Sequence, residues 1–218
     1  MTEEKKRVLA VYDFKQEFKS LFSPSAKEPE IVEVPALKYM MVDGQGYPGT
    51  SKEFAEKVQL LYGLAYTIKF MLKKEKTDAF DFKVPPLSGL WHAEDMAAYI
   101  DAGRKEEWLW TLMLALPERV TNEVFLLGKG EFIKKKQPRL MDAVSFNVYE
   151  EGLCAQIMHI GPYSAETETI ARLHGFFQEK GYTFNGRHHE IYLGDPRKAQ
   201  PEKLKTIIRQ PIKQVLVL

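Results

Sequence analysis

Residues 150–169 read EEGLCAQIMHIGPYSAETET, residues 188–198 read HHEIYLGDPRK, and residues 201–211 read PEKLKTIIRQP. The first of these predicts a strand over Leu153 to Ile160, a turn at GPYS, and a helix over Ala165 to Lys180. Ile170, Leu173, Phe176 and Phe177 form the inward stripe of that helix, and Gly181 closes it as a C-terminal cap. His188 to Leu193 and Leu204 to Arg209 read as two further strands, the last one ending at Pro211. Strand side chains alternate, so His188, Glu190 and Tyr192 share one face while His189, Ile191 and Leu193 share the other. A carboxylate in mid-strand beside apolar residues is a poor choice for stability unless the charge has a task. Glu190 is therefore the first candidate for chemistry. The plain alternative is a Glu paired with Arg or Lys on a solvent-exposed sheet face.

Upstream, the same plan occurs once before. Ile31 to Val42 is β-rich, interrupted by Pro35, and ends in the turn DGQGYPGTS over residues 43–51. A helix begins there, capped by Thr50 or Ser51 with Glu53 in its first turn. Phe54, Val58, Leu61, Ala65, Ile68 and Leu72 recur at helical spacing, with Gly63 inside the run. Phe80, Phe82 and Val84 alternate, and PPLSGLWHA and EEWLWTLMLALP read as strands. The order β-α-β-β thus appears twice: a first module over 30–117 and a second over 143–215, opened by a strand at Ala143 to Tyr149. A connector over 118–142 carries a helix from Thr121 to Lys136 despite Gly128 and Gly130. The expected fold is a single α+β domain over 1–218. It is pseudo-symmetric, with antiparallel sheets, helices on one face and a ligand cleft between the halves.

Composition narrows the function classes. Among 218 residues, 31 Lys and Arg against 30 Asp and Glu leave no field that would favour nucleic acid or an acidic membrane surface. The single cysteine, Cys154, excludes an intrachain disulfide and reads as a small buried hydrophobe. MTEEKKR lacks a signal-peptide pattern, and no apolar run approaches the roughly 20 residues needed to cross a bilayer. The expectation is a soluble, cytoplasmic protein, monomer or dimer, with a small-molecule partner, no nucleic acid and no membrane. No metal is expected, because His188 and His189 point to opposite faces and His92, His159 and His174 lack HxxxH or HExxH spacing. No cofactor is expected either: GQGYPG lacks the spacing of a nucleotide loop, and no GxSxG nucleophile motif occurs.

GLCAQIMHIGPYSAE, HHEIYLGDPRKAQPEKLKTIIRQP, PLSGLW and the Trp-rich strand ending in ALP together resemble the GyrI-like small-molecule-binding family, over about residues 30 to 215. The resemblance implies a duplicated βαββ fold of SHS2-like modules. It also implies relatives that include gyrase-inhibitory proteins, drug-sensing domains of transcription regulators, and free-standing hydrolases of cyclopropane-bearing DNA-alkylating natural products. With no helix-turn-helix segment before residue 30, the chain is similar to the free-standing members. In the family's drug sensors a buried Glu meets cationic ligands, which is what Glu190 in an apolar cleft would favour.

The aromatic residues supply a cage. Trp108 and Trp110 lie on one side of their strand with Leu112 and Leu114, and Trp91 ends the PLSGLW strand. Trp91 and Trp110 are the preferred walls, with Trp108 behind them; the alternative for each indole is plain core. Tyr163 sits at the strand-to-helix turn of the second half and Tyr47 at its counterpart in the first. Tyr39, Phe146 and Tyr149 are strand aromatics placed only by their apolar position. The expected site is thus Glu190 and Tyr163 as catalytic groups, with Trp91, Trp108, Trp110, Tyr192, Tyr39, Phe146 and His188 around the ligand. The chemistry implied is water addition to a strained ring, with Glu190 as base, Tyr163 or Tyr192 as donor, and the indoles positioning a planar ligand. A pocket of the same make-up without chemistry would sequester drugs, and a gyrase-binding role is the third alternative.

Overall fold

The computed structural model describes residues 9–92 and 102–215. Its strands are β1 (Val11–Tyr12), β2 (Glu30–Val34), β3 (Leu37–Gln45), β4 (Asp81–Phe82), β5 (Leu87–His92), β6 (Leu109–Leu116), β7 (Ser145–Tyr149), β8 (Gly152–Ile160), β9 (Tyr182–Phe184), β10 (His188–Tyr192) and β11 (Lys205–Gln214). The helices are α1 (Phe14–Glu17), α2 (Lys19–Phe22), α3 (Lys52–Lys73), α4 (Asn122–Lys136) and α5 (Glu166–Glu179). Ser51 is the cap of α3, its side chain accepting from the Phe54 amide at 3.1 Å, and Thr121 caps α4 through the Val124 amide at 3.3 Å. No helix among the described residues is long and apolar enough to cross a membrane.

One large sheet organises the chain. Its strands run in the order β2-β8-β11-β10-β5-β6-β3-β7, every neighbouring pair antiparallel, with β9 added on β11. The order is palindromic about the β10–β5 pair: first, third and second strands of each half lie symmetrically on either side. Pairing of His188 with Trp91 and Glu190 with Gly89 joins the two halves into a continuous surface. Pro35 divides the Ile31–Val42 stretch into two strands at opposite ends of this sheet, β2 on β8 and β3 on β6. The final strand does not end at Pro211 as the sequence leads one to expect. Past Arg209 it leaves β10, and from Ile212 it pairs with β9, so the residue lacking an N–H sits where the partner changes.

Helices α3 and α5 lie over one face of the sheet, on either side of the palindromic centre. Leu61, Leu64, Ile68 and Leu72 of α3 bury against Met40, Leu112 and Leu114, while Leu173 and Phe177 of α5 bury against Ala155, Ile157 and Ile208. The glycines inside the helical runs allow α3 and α4 to approach closely. A methyl at Gly128 would sit 2.4 Å from Ile68, and one at Gly63 would sit 2.6 Å from Phe132. The opposite face is covered by residues from α1 and α2, whose Phe14 and Leu21 pack on Tyr39, Met41, Leu90 and Met113. That leaves the first face open above β5 and β10, between the two long helices.

Candidate functional site

The gap between α3 and α5 is a cleft with a cavity volume of about 1840 Å³, beyond the roughly 300–1,000 Å³ of a drug-sized site. Its floor is the β5–β10 pair, its first wall Phe54, Val58, Tyr62 and Tyr66 of α3, and its second Glu166, Ile170 and His174 of α5. Period-2 alternation presents Trp91 from β5 and His188, Glu190 and Tyr192 from β10 to this space. Gly89, opposite Glu190, contributes no side chain. A methyl there would sit 3.0 Å from the Trp91 indole nitrogen, so the glycine lets that ring lie flat across the floor.

Glu190 is held rather than loose. Its Oε2 accepts from the Tyr192 hydroxyl at 2.8 Å, and its Oε1 lies 3.2 Å from His188 Nε2. The same Tyr192 oxygen accepts from the Trp91 indole N–H at 3.0 Å. Burial, and then the neighbouring Glu190 charge, push the Tyr192 phenol well above its ordinary value of 10.0, so it remains a donor to the carboxylate. Trp91, Tyr192 and Glu190 thus form one hydrogen-bonded chain across the floor. The Glu190 side chain keeps 15 % of its accessible surface, enough to meet a ligand in the cleft.

The aromatic cage is built differently from the sequence expectation. Trp91 meets Trp108 edge to face at 6.2 Å, Phe54 stacks over Trp91 at 6.5 Å, and Tyr47 lies edge-on to Trp108 at 6.1 Å. Trp91, Trp108, Phe54 and Tyr47 all line the cleft. Trp110, preferred over Trp108 from the sequence, is only 1 % exposed and does not line it. Its ring lies against the β3 backbone, its N–H donates to the Gly46 carbonyl at 3.0 Å, and Phe54 meets it edge-on at 5.0 Å. Trp110 therefore backs the cage from behind. A methyl at Gly44 would fall 2.0 Å from the Trp110 ring. Gly44→Ala is expected to destabilise the protein by roughly 1–3 kcal/mol, as overpacking does, read as a lower urea midpoint together with a change in tryptophan emission.

Tyr39 and Phe146 stand away from the cleft. Tyr39 is on the opposite sheet face, in the cluster with Phe14 and Met113, because it follows the other phase of the β3 alternation. Phe146 lies at the outer β7 edge against Phe125 of α4, with β6 and β3 between it and the floor. Tyr163 rims the cleft at 40 % exposure, edge-on to Tyr192 at 5.6 Å. Burial, followed by the charges of Glu166 and Glu190, pushes its phenol up to about 12. Beneath that turn, His159 Nδ1 contacts Thr169 Oγ1 at 2.9 Å and Nε2 contacts the Pro162 carbonyl at 3.3 Å, pinning the GPYS segment to α5.

One acidic group in the cleft was not foreseen. Glu166, the first residue of α5, is 5 % exposed, and its Oε1 has no hydrogen-bond partner among the described residues. Burial, and then the Glu190 charge, raise its carboxyl to about 8; Thr206 of β11 offsets part of this, although neither its Oγ1 nor Glu166 Oε1 completes a well-formed bond. Half-buried His174, about two turns further along α5, is pushed down to about 4 by burial and then by His188, and so stays neutral.

Comparison with known proteins matches residues 27–213 to the GyrI-like small-molecule-binding domain. The chain belongs to the GyrI-like family. A conserved Listeria innocua protein of uncharacterised function has a solved structure 42 % identical over 93 % of this chain and 100 % of its own, with a TM-score of 0.85. Another L. innocua structure, named a hydrolase, is 40 % identical over 94 % of this chain and 100 % of its own, with a TM-score of 0.84. A search of curated proteins gives no match.

In this GyrI-like chain, the sequence signal for Glu166 was the GPYSAE turn itself. A Glu three residues after a turn Tyr reads as an ordinary first-turn acid, which a helix N-terminus favours without any further task. Only the cross-sheet position of β10 reveals that this residue and Glu190 face the same space. Phe54 reads from its spacing only as part of a helical face, and it takes the wall position expected of Trp110.

Proposed function

We propose that this protein binds planar, hydrophobic or cationic xenobiotics in the cleft and hydrolyses cyclopropane-bearing DNA-alkylating compounds by adding water, without a cofactor. The observation that carries the proposal is Glu190, fixed by Tyr192 and His188 on a floor walled by Trp91, Trp108 and Phe54. Such walls hold a flat polycyclic ligand by stacking, and much of the acceleration then comes from orientation. Glu190 orients a water molecule and takes its proton as the water oxygen attacks the ring carbon. Relatives about 40 % identical that are named hydrolases support a catalytic role over the length of the chain.

A binding protein without chemistry is the second reading, and one observation favours it. Both Glu190 oxygens already have partners, as suits a fixed counter-charge for a cation. Mixing the purified protein with an excess of a cyclopropane-fused dienone separates the two. Hydrolysis yields well over one equivalent of ring-opened product per protein by mass spectrometry, whereas sequestration quenches tryptophan fluorescence and yields no product.

A further inference from the structure

We infer that Glu166 is a second catalytic carboxyl of this cleft, donating a proton to the ligand oxygen while Glu190 directs the water. The inference rests on the hydrolase reading above. Three hydroxyl or carboxyl groups near the floor are candidates for the donor, and geometry separates them. The Tyr192 hydroxyl is committed, giving its proton to Glu190 and accepting from Trp91. Tyr163 stands at the rim, 40 % exposed. Glu166 is buried to 5 % exposure, lines the cleft, and has an oxygen with no partner. A buried carboxyl oxygen left unpaired in a binding cleft is costly unless a ligand completes it.

Charge assigns the proton to Glu166 as well. Glu190 is hydrogen-bonded by His188 and Tyr192, whereas Glu166 faces Glu190 and Tyr192 from β10, Thr206 from β11 and Tyr163 from its own turn, none of them a cation. Two neighbouring carboxylates do not both ionise readily, and the less solvated one retains the proton. With its carboxyl at about 8, Glu166 is the protonated member at neutral pH.

The step balances without another reactant. The water oxygen bonds to the cyclopropane carbon and Glu190 takes one water proton. The ring carbon–carbon bond breaks, and its electron pair flows through the dienone to the carbonyl oxygen. That oxygen takes the Glu166 proton and becomes the phenol hydroxyl of the ring-opened product. Exchange with solvent then returns Glu190 to its anion and Glu166 to its acid.

The test follows turnover of a cyclopropane-fused dienone from pH 6 to 9.5 in the wild type, Glu166→Gln and Glu190→Gln. Loss of wild-type turnover above pH about 8, with a drop of about 10²–10⁴-fold in Glu166→Gln, is the expected result. Wild-type turnover with no alkaline limb and with Glu166→Gln within twofold overturns the donor role and leaves the hydrolase reading standing. If Glu166→Gln fails to fold, the wild-type alkaline limb decides alone. If the wild type itself turns nothing over, the hydrolase reading falls, and tryptophan quenching by acridone, a planar neutral ketone, decides the donor. Affinity that weakens tenfold or more above pH 8 in the wild type but stays flat in Glu166→Gln retains Glu166 as the donor to a bound oxygen. Flat affinity in both removes it.

Discussion

Glu190→Gln is expected to lower turnover of a cyclopropane-fused dienone by about 10²–10⁴-fold, the ordinary worth of a positioned general base, with little change in ligand affinity. The amide keeps the shape of the side chain and can still accept from Tyr192 through its oxygen, so the floor and the Trp91 contact remain. What disappears is the capacity to take a proton from water. For a planar neutral ligand, binding depends on the walls at Trp91, Trp108 and Phe54, which the substitution does not touch. The diagnostic pattern is therefore a fall in kcat with KM held within a few-fold. Unchanged turnover would remove the base assignment. A large rise in KM at constant kcat would instead mark Glu190 as a binding charge.

Arg209→Met should cost about 3–5 kcal/mol of stability, because it strips the partner from a buried carboxylate. Arg209 Nη1 donates to Glu151 Oε2 at 3.0 Å, His189 Nδ1 lies 2.9 Å from Glu151 Oε1, and Arg209 Nη2 donates to the Leu21 carbonyl at 2.8 Å. This cluster lies on the sheet face away from the cleft and ties α2 to the strands that carry Glu190. Burial raises the Glu151 carboxyl, but His189 and Arg209 together outweigh it and hold the group at about 2, against 4.5 ordinarily. A folded-state value below the unfolded one contributes stability that is fully present above pH 4.5 and is lost as pH falls toward 2. Urea midpoints at pH 7 and pH 3 check both statements. The wild type should weaken at the lower pH, and the variant should already be weak at pH 7 and change less. A variant as stable as the wild type at pH 7 would show that the triad is not holding this face together.

Much of this was legible from residues, and the limits have a common cause. Alternation along RHHEIYL placed Glu190 and Tyr192 on one face because a strand's period of two survives any tertiary arrangement. The helices at Lys52–Lys73 and Glu166–Glu179 were legible from their stripes and caps. Depth was not. Whether Trp108 or Trp110 reaches a ligand depends on Gly44 opening the β3 backbone beneath Trp110, which is a relation between strands 64 residues apart for the Trp110–Gly46 bond. Arg209, Glu151 and His189 lie on separate segments that carry no sign of a shared cluster, and only the cross-strand register buries them together. The segment carrying Phe14 and Leu21 has too short a helical pattern to announce that it covers one face of the sheet. Glu166 is silent in the sequence for the same reason, since its meaning lies in facing Glu190 of β10 from the start of α5.

The most direct measurement is turnover of a cyclopropane-fused dienone in H₂¹⁸O, followed by mass spectrometry of the ring-opened product. If Glu190 activates water on the cleft floor, many equivalents of product per protein should accumulate, each with one ¹⁸O bonded to the former ring carbon, and Glu190→Gln should suppress them. Product that lacks the label, or a single equivalent that remains attached to the protein, would contradict hydrolysis and leave a cleft that captures its ligand without chemistry.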